Sequence, residues 1–341
     1  MTMMNNTLKK QFNFPVGTII QGKWYKKQYT IVKELGFGAN GIVYLVQGAS
    51  GYRALKLSDS NVSITSEVNV LKSFSKVQGA PLGPRLIDVD DWEVRGKKIH
   101  FYVMEYIQGP DLLTFVQNKG VSWTGVLMAQ LLSDLERIHQ EGWVFGDLKP
   151  ENLIVTGPPY RIRCIDVGGT TIKGRAIKEF TEFFDRGYWL GGSRKAEPSY
   201  DLFAVGMIFI NLSYPRRFTK KGQGGMTQLK QAINQKQDLQ KFQPTIEFAL
   251  KGKFQTASEM RGSLLDGLST GRSYNSSTTR KTSQQSSKQA RPPSSKNRNN
   301  KQNTSRYQNN RQKKTSHFLE TVLVVCIVSL LYVLYIYGEL M

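Results

Sequence analysis

The stretch Gly146-Asp147-Leu148-Lys149-Pro150-Glu151-Asn152 places a carboxylate, a cation and a side-chain amide within one turn and a short loop. The apolar run Leu153-Ile154-Val155 follows directly, and Arg163-Cys164-Ile165-Asp166-Val167-Gly168 comes soon after. Two short strands joined by a polar turn would bring Asp147, Asn152 and Asp166 to one mouth. There Asp147 can accept a hydroxyl proton, Asn152 and Asp166 can offer hard oxygen ligands to Mg²⁺, and Lys149 can meet a phosphate. A D-x-K-x-x-N run also arises by chance in ordinary loops, so the rest of the chain has to decide.

Upstream, the stretch from Tyr29 to Leu35 alternates as a strand. The glycines Gly36, Gly38 and Gly41 follow, and a second strand runs from Tyr44 to Gln47. Strands on both sides of a G-x-G-x-x-G pattern suit a hairpin flap, whose glycines let backbone N–H groups approach phosphate oxygens; a plain glycine-rich hairpin reads the same way. Arg53 to Leu57 is a short strand carrying Lys56, and Ser66 to Phe74 has helical apolar spacing with Glu67 near its start. Such charges are most often solvated. Ile99 to Gly109 reads as a strand entering a turn, with Asp111 as the cap of the next helix. Val121 to Glu141 predicts a long helix burying Val126, Leu127, Ala129, Leu131, Leu132, Leu135 and Ile138. Asp201 heads a strongly apolar helix to Leu212, and the pattern stops after Leu268. His100, His139 and His317 form no constellation, and His139 reads as a last-turn charge partner.

Charge is unevenly placed. The 341 residues carry a net +21, but residues 269–316 hold 12 Lys and Arg and no acid, leaving +11 on the first 268. This Ser-, Asn- and Gln-rich stretch cannot bury enough surface to offset chain entropy, so a disordered linker spanning about 40 Å is expected. Its charge extends well beyond the few residues a membrane topology signal needs, which points to a polyanion, DNA or anionic lipid. Arg216, Arg217, Lys220 and Lys221 form a second basic cluster, read first as a solvated loop. Thr321 to Gly338 is 18 residues without a charge; as a helix it reaches about 27 Å, enough to cross a hydrocarbon core. Tyr332, Tyr335 and Tyr337 suit the far interface. The polar N-terminus predicts no signal peptide, and only Glu339 to Met341 would emerge outside. The two cysteines, Cys164 and Cys326, have no reason to pair, and Cys164 reads as a small core residue.

Taken in order, the motifs over roughly residues 20–268 resemble those of bacterial Ser/Thr protein kinases of the eukaryotic-like (Hanks) type. The added basic linker and apolar tail are similar to the tail-anchored kinases of spore-forming bacteria. The resemblance implies an α+β bilobal fold, with a small β-rich N-lobe and a mainly helical C-lobe, plus one transmembrane helix. It divides the chain into an extension (1–28), a kinase domain (29–268), a disordered basic linker (269–316) and a membrane anchor (317–341). It implies ATP and Mg²⁺ as cofactors. Asp147 and Lys149 become catalytic, and Asn152 and Asp166 metal ligands. Gly36, Gly38, Gly41, Val43, Ala54 and Lys56 become nucleotide contacts, with Glu67 aiming Lys56. Met104 as gatekeeper, the hinge from Glu105 to Ile107, and Leu153 complete the ATP site. Gly168 to Tyr200 becomes the activation segment, with Thr170, Thr171 and Thr181 as candidate phosphorylation sites.

Three departures stand out. The usual H-R-D reads Phe145-Gly146-Asp147, which removes the arginine that grips a phosphorylated activation loop. D-F-G reads Asp166-Val167-Gly168. Ala196-Glu197-Pro198 lies too close to Asp201 to be a convincing A-P-E, and Lys253 stands where an arginine usually pairs with its glutamate. The expectation is a membrane-anchored Ser/Thr protein kinase, cytoplasmic side in, that phosphorylates proteins and itself and is stimulated by DNA on its linker. The alternatives are a non-catalytic scaffold of the same fold, a linker that senses anionic lipid, and transfer to small molecules.

Overall fold

The computed structural model describes residues 12–38, 40–76 and 82–273. The expected linker beyond residue 273 and the tail helix over 321–338 lie outside the described residues. Among the described residues no helix is long and apolar enough to cross a membrane.

Alternating apolar positions build one antiparallel sheet from β1 (Ile19–Gln21), β2 (Gln28–Gly38), β3 (Gly41–Gly48), β4 (Gly51–Ser58), β5 (Leu86–Val94) and β6 (Lys97–Glu105). Its order is β1-β2-β3-β4-β6-β5. Arg95 and Gly96, at φ 52° and 72°, join β5 to β6 in the two-residue connection that matches strand twist. One face buries Ile31, Ile42, Leu55, Leu57, Phe101 and Val103 beneath Phe12 and Phe14. The described part of the stretch expected as an extension is therefore built into the domain. Ile20 stands opposite Tyr29 in the β1–β2 ladder, and Phe12 is fully buried. These aromatics cover a sheet face that would otherwise meet water.

The helix α1 (Asn61–Phe74) begins ahead of the segment whose spacing announced it, capped by Ser60, whose hydroxyl accepts from Ser63 N–H. It buries Ile64, Val68, Leu71 and Phe74, and Glu67 with them. The second lobe is helical: α2 (Leu112–Lys119), α3 (Trp123–Gln140), α4 (Pro198–Ser213), α5 (Gly225–Asn234), α6 (Gln237–Gln240), α7 (Gln243–Leu250) and α8 (Ala257–Ser273). Asp111 caps α2 as expected, its Oδ1 accepting from Thr114 N–H at 3.0 Å. Leu127, Leu131, Leu132 and Leu135 of α3 are fully buried in the same core as the apolar face of α4. Val126, expected on that face, is 46% exposed; it lies about 100° around the helix from Leu127. α8 continues five residues past Leu268 into the stretch expected as linker. Two small ladders remain, β7 (Trp143–Val144) with β10 (Thr171–Ile172) and β8 (Leu153–Thr156) with β9 (Arg161–Cys164).

Candidate active site

The flap is the end of the β2–β3 hairpin, where Gly36 pairs with Val43 and Gly38 with Gly41. Gly41 has φ +131°, and a Cβ there would lie 2.0 Å from the Leu57 carbonyl oxygen, so only glycine lets the flap start this close to β4. Lys56 lies between Val43 and Tyr102 in register. Its ammonium donates to both Glu67 oxygens, at 2.8 and 2.7 Å. The Tyr102 hydroxyl donates to Glu67 Oε2 at 2.7 Å, and the Ser63 hydroxyl to Oε1 at 3.2 Å. Lys56 is 7% exposed and Glu67 3%. Burial draws the Lys56 ammonium down, but the carboxylates of Asp166 and Glu67 outweigh it and hold its pKa above the ordinary lysine value. Burial and the Glu67 charge push the Tyr102 phenol well above its usual range, so it remains a donor.

The catalytic loop is hung from below. Asp201 in α4 accepts from Phe145 N–H (2.7 Å) and Gly146 N–H (2.9 Å), and its Oδ2 lies 2.8 Å from His139 Nε2. His139 is thus held by the same carboxylate that caps the loop, and Phe145 is buried in the core. Gly146 has φ +87°, and a Cβ there would lie 2.6 Å from Gly169 O. Lys149 donates to Asp147. The Thr181 hydroxyl donates to Asp147 Oδ1 at 3.0 Å and accepts from Lys149 at 3.2 Å. The β8–β9 ladder pairs Leu153 with Cys164, and Ile165 N–H donates to Asn152 O at 2.9 Å. That pairing sets Asn152 beside the residue preceding Asp166, whose Oδ1 accepts from Gly168 N–H at 2.9 Å. Burial pushes the Cys164 thiol well up, and it remains an inert core group.

These elements enclose a cavity of about 580 Å³, within the usual range for a small-molecule site. Gly36, Gly38, Gly41, Val43, Ala54 and Lys56 line it, as do Met104, Glu105, Ile107, Asp147, Lys149, Asn152 and Asp166. Glu67 stands behind Lys56 rather than on the wall. Leu153 is a correction: it is fully buried in the core, and its neighbour Ile154 lines the cavity instead. Successive strand residues face opposite sides, so a one-residue shift exchanges core for site. Leu35, Phe37, Asn40, Ile165 and Glu179 also line the cavity and were not singled out in the sequence, while Tyr106 lines it within the expected hinge. Leu35 follows from its place just before the flap. Glu179 arrives from far along the chain, with its carboxylate accepting from Asn40 Nδ2. Burial pushes the Glu179 carboxyl above its ordinary value, opposed by the Asn40 bond and reinforced by Asp166. Asp166 and Asn152 offer a carboxylate and an amide oxygen on one wall. This hard, oxygen-only pair suits Mg²⁺, which takes one or two protein ligands and fills the rest with phosphate and water.

The segment from Gly168 to Tyr200 is held by protein groups. Asp185, fully buried, accepts from Gly187 and Tyr188 N–H, from Tyr200 OH, and from Arg194 Nε and Nη2 at 2.9 and 2.6 Å. Glu197 pairs with Arg186 and Lys195, so its described ion pairs do not involve Lys253. Thr170 and Thr171 are buried and unsuited to modification as they stand; Thr181 is engaged at Asp147. Of the basic cluster, Arg217 pairs with Glu151 and Lys220 donates to Tyr188 O, while Arg216, Arg217 and Lys221 are exposed.

The protein kinase domain model matches residues 29–323, and the chain belongs to the protein kinase family. It is 56% identical to the serine/threonine-protein kinase YabT of Bacillus subtilis (strain 168) over 267 residues, covering 77% of this chain and 79% of that protein. Two solved structures share the fold. Vaccinia related kinase 3 matches with TM-score 0.57 at 16% identity, covering 79% of this chain and 96% of that one. The PknI kinase domain of Mycobacterium tuberculosis matches with TM-score 0.53 at 19% identity, covering 75% and 100%.

Proposed function

We propose that this protein kinase transfers the γ-phosphoryl group of Mg-ATP to serine and threonine hydroxyls of proteins, its own included. The observation that carries this reading is the single cavity under the glycine flap, which holds Asp147, Lys149, Asn152, Asp166 and a Lys56 already aimed by Glu67. Phosphoryl transfer asks the protein mainly for positioning and charge stabilisation. The flap N–H groups and Lys56 would meet the phosphates, and the backbone from Glu105 to Ile107 the adenine. Asp147 would orient the attacking hydroxyl and take its proton, while Lys149 steadies the charge on the moving phosphoryl group. The Thr181 hydroxyl, bonded to both, keeps them in place. Asn152 and Asp166 are the residues that would hold Mg²⁺, which when bound neutralises phosphate charge.

The basic stretch 269–316 and the apolar run 321–338 support a further layer of this reading. The chain is anchored in the cell membrane by one C-terminal span, with the kinase domain on the cytoplasmic side. The linker binds a polyanion, and DNA is favoured because the charge extends far past the membrane-proximal residues. Two copies on one strand would gain effective concentration and phosphorylate each other.

Labelled ATP and the full chain test both layers. Phosphoserine or phosphothreonine should form on protein, and Asp166→Asn should abolish it; label on no protein, or equal label with the variant, contradicts the kinase reading. DNA should raise the rate with steep salt sensitivity, and acidic vesicles should do so less. Equal rates with and without DNA refute the stimulation alone.

A further inference from the structure

Glu105 ends β6 and opens the turn whose residues Glu105, Tyr106 and Ile107 line one end of the cavity. Its carboxylate turns away toward β9. There Arg163 Nη1 and Nη2 donate to Glu105 Oε1 and Oε2 at 3.2 and 2.9 Å, and Nη2 also donates to Gly83 O at 2.9 Å. Glu105 is gripped from a second side as well: its N–H donates to Arg85 O at 2.9 Å, and Arg85 N–H donates to its Oε2 at 3.2 Å. The Arg163 and Glu105 side chains are only 15% and 33% exposed. One guanidinium therefore ties together the hinge, the loop entering β5 and the strand that leads to Asp166.

The placement of Arg163 gives this tie a consequence at the site. It stands opposite Ile154 in the β8–β9 ladder, and Ile154 lines the cavity. It also precedes Asp166 by three residues, a span of about 10 Å in extended chain. The fork thus fixes the hinge at a set height over the floor of the nucleotide site. Burial raises the Glu105 carboxyl, but the bonds from Arg163 and Arg85 outweigh this and hold it below the usual range.

We propose that the Arg163–Glu105 pair is a hinge clamp that sets nucleotide affinity, with Arg163 a positioning residue acting through the backbone of Glu105. The inference rests on the kinase reading for where the nucleotide lies, and it predicts a specific kinetic signature. Loss of the clamp loosens the hinge, where ground state and transition state are held alike, so KM for ATP should move and kcat should not. Lysine cannot replace the two-pronged fork.

The test uses the full chain with Arg163→Lys, Arg163→Gln, Glu105→Gln and the double glutamine variant. A fluorescent ADP analogue reports Kd, and labelled ATP reports KM and kcat. Arg163→Lys should raise Kd and KM for ATP about tenfold, the size of one charge-assisted hydrogen bond, with kcat within about twofold and the KM for protein substrate unmoved. The two glutamine substitutions should be non-additive, the second costing little once the first is made. Unchanged nucleotide Kd in folded variants overturns the proposal, as does a loss confined to kcat, or additive single effects. If Kd shifts as stated while no form of the chain transfers phosphate, the clamp stands and the kinase reading falls.

Discussion

Lys56, on the small-lobe wall of the cleft, and Glu67 behind it form a buried two-pronged ion pair whose remaining lone pairs are taken by Tyr102 and Ser63. On the opposite wall, Asp147 shares Lys149 and Thr181, and the segment beyond is pinned by the buried Asp185 with its backbone, tyrosine and arginine donors. The first wall keeps the lysine and the glutamate that the family resemblance implies. The second keeps the acid but loses the loop-gripping arginine to Gly146, and fills the segment's anchoring role with fixed protein groups. A segment held by Asp185, Arg194, Arg186 and Glu197 needs no added phosphate to stay ordered, so both walls are assembled in the unmodified chain.

Substitutions should separate the walls. The largest effect is expected on the first: Lys56→Met should cut kcat by at least about 10²-fold, and leaves Glu67 buried without its cation, so a thermal melt should accompany the transfer assay. Retained activity would mean that Lys56 does not meet the nucleotide. On the second wall, Gly146→Ala places a methyl group into Gly169 O at a φ of +87°. It should cost roughly 1–3 kcal/mol of stability and most of the activity, read by denaturant melt and initial rate. A silent Gly146→Ala would show that this turn is free to relax.

Which of these features the sequence discloses depends on how local they are. Asp147, Lys149 and Asn152 fall in one short loop, and Lys56 and Glu67 in neighbouring elements, so their order alone carried the site. Leu153 shows the limit: spacing located the strand, but which of two adjacent residues faces the cavity depends on the β8–β9 register. Glu179 and Asp185 lie beyond that limit, because their partners Asn40 and Tyr200 are set by the tertiary path of the segment. The sheet's outer layer was missed for a similar reason. Phe12-Asn13-Phe14 is too short an alternation to announce an element, and the two aromatics are core only because they pack on the sheet.

Two smaller predictions use those distinctions. Leu153→Ala should destabilise the domain by about 2–4 kcal/mol with little change in KM for ATP, while Ile154→Ala should do the reverse, raising KM with a small stability change; a swapped pattern would reverse the register assignment. Asp111→Ala removes the cap bond to Thr114 and should cost about 1 kcal/mol of stability with unaltered kinetics. A rise in KM for ATP there would instead place Asp111 against the nucleotide.

The most direct test of the whole account is a single-turnover transfer rate from labelled ATP, measured on full-length chain stripped by a phosphatase that is then removed, beside Asp147→Asn treated the same way. The account predicts that the stripped wild type transfers at its full initial rate, without a lag, and that Asp147→Asn falls by roughly 10²–10⁴-fold. A stripped wild type that is inactive until rephosphorylated, or an Asp147→Asn variant as fast as wild type, would contradict it.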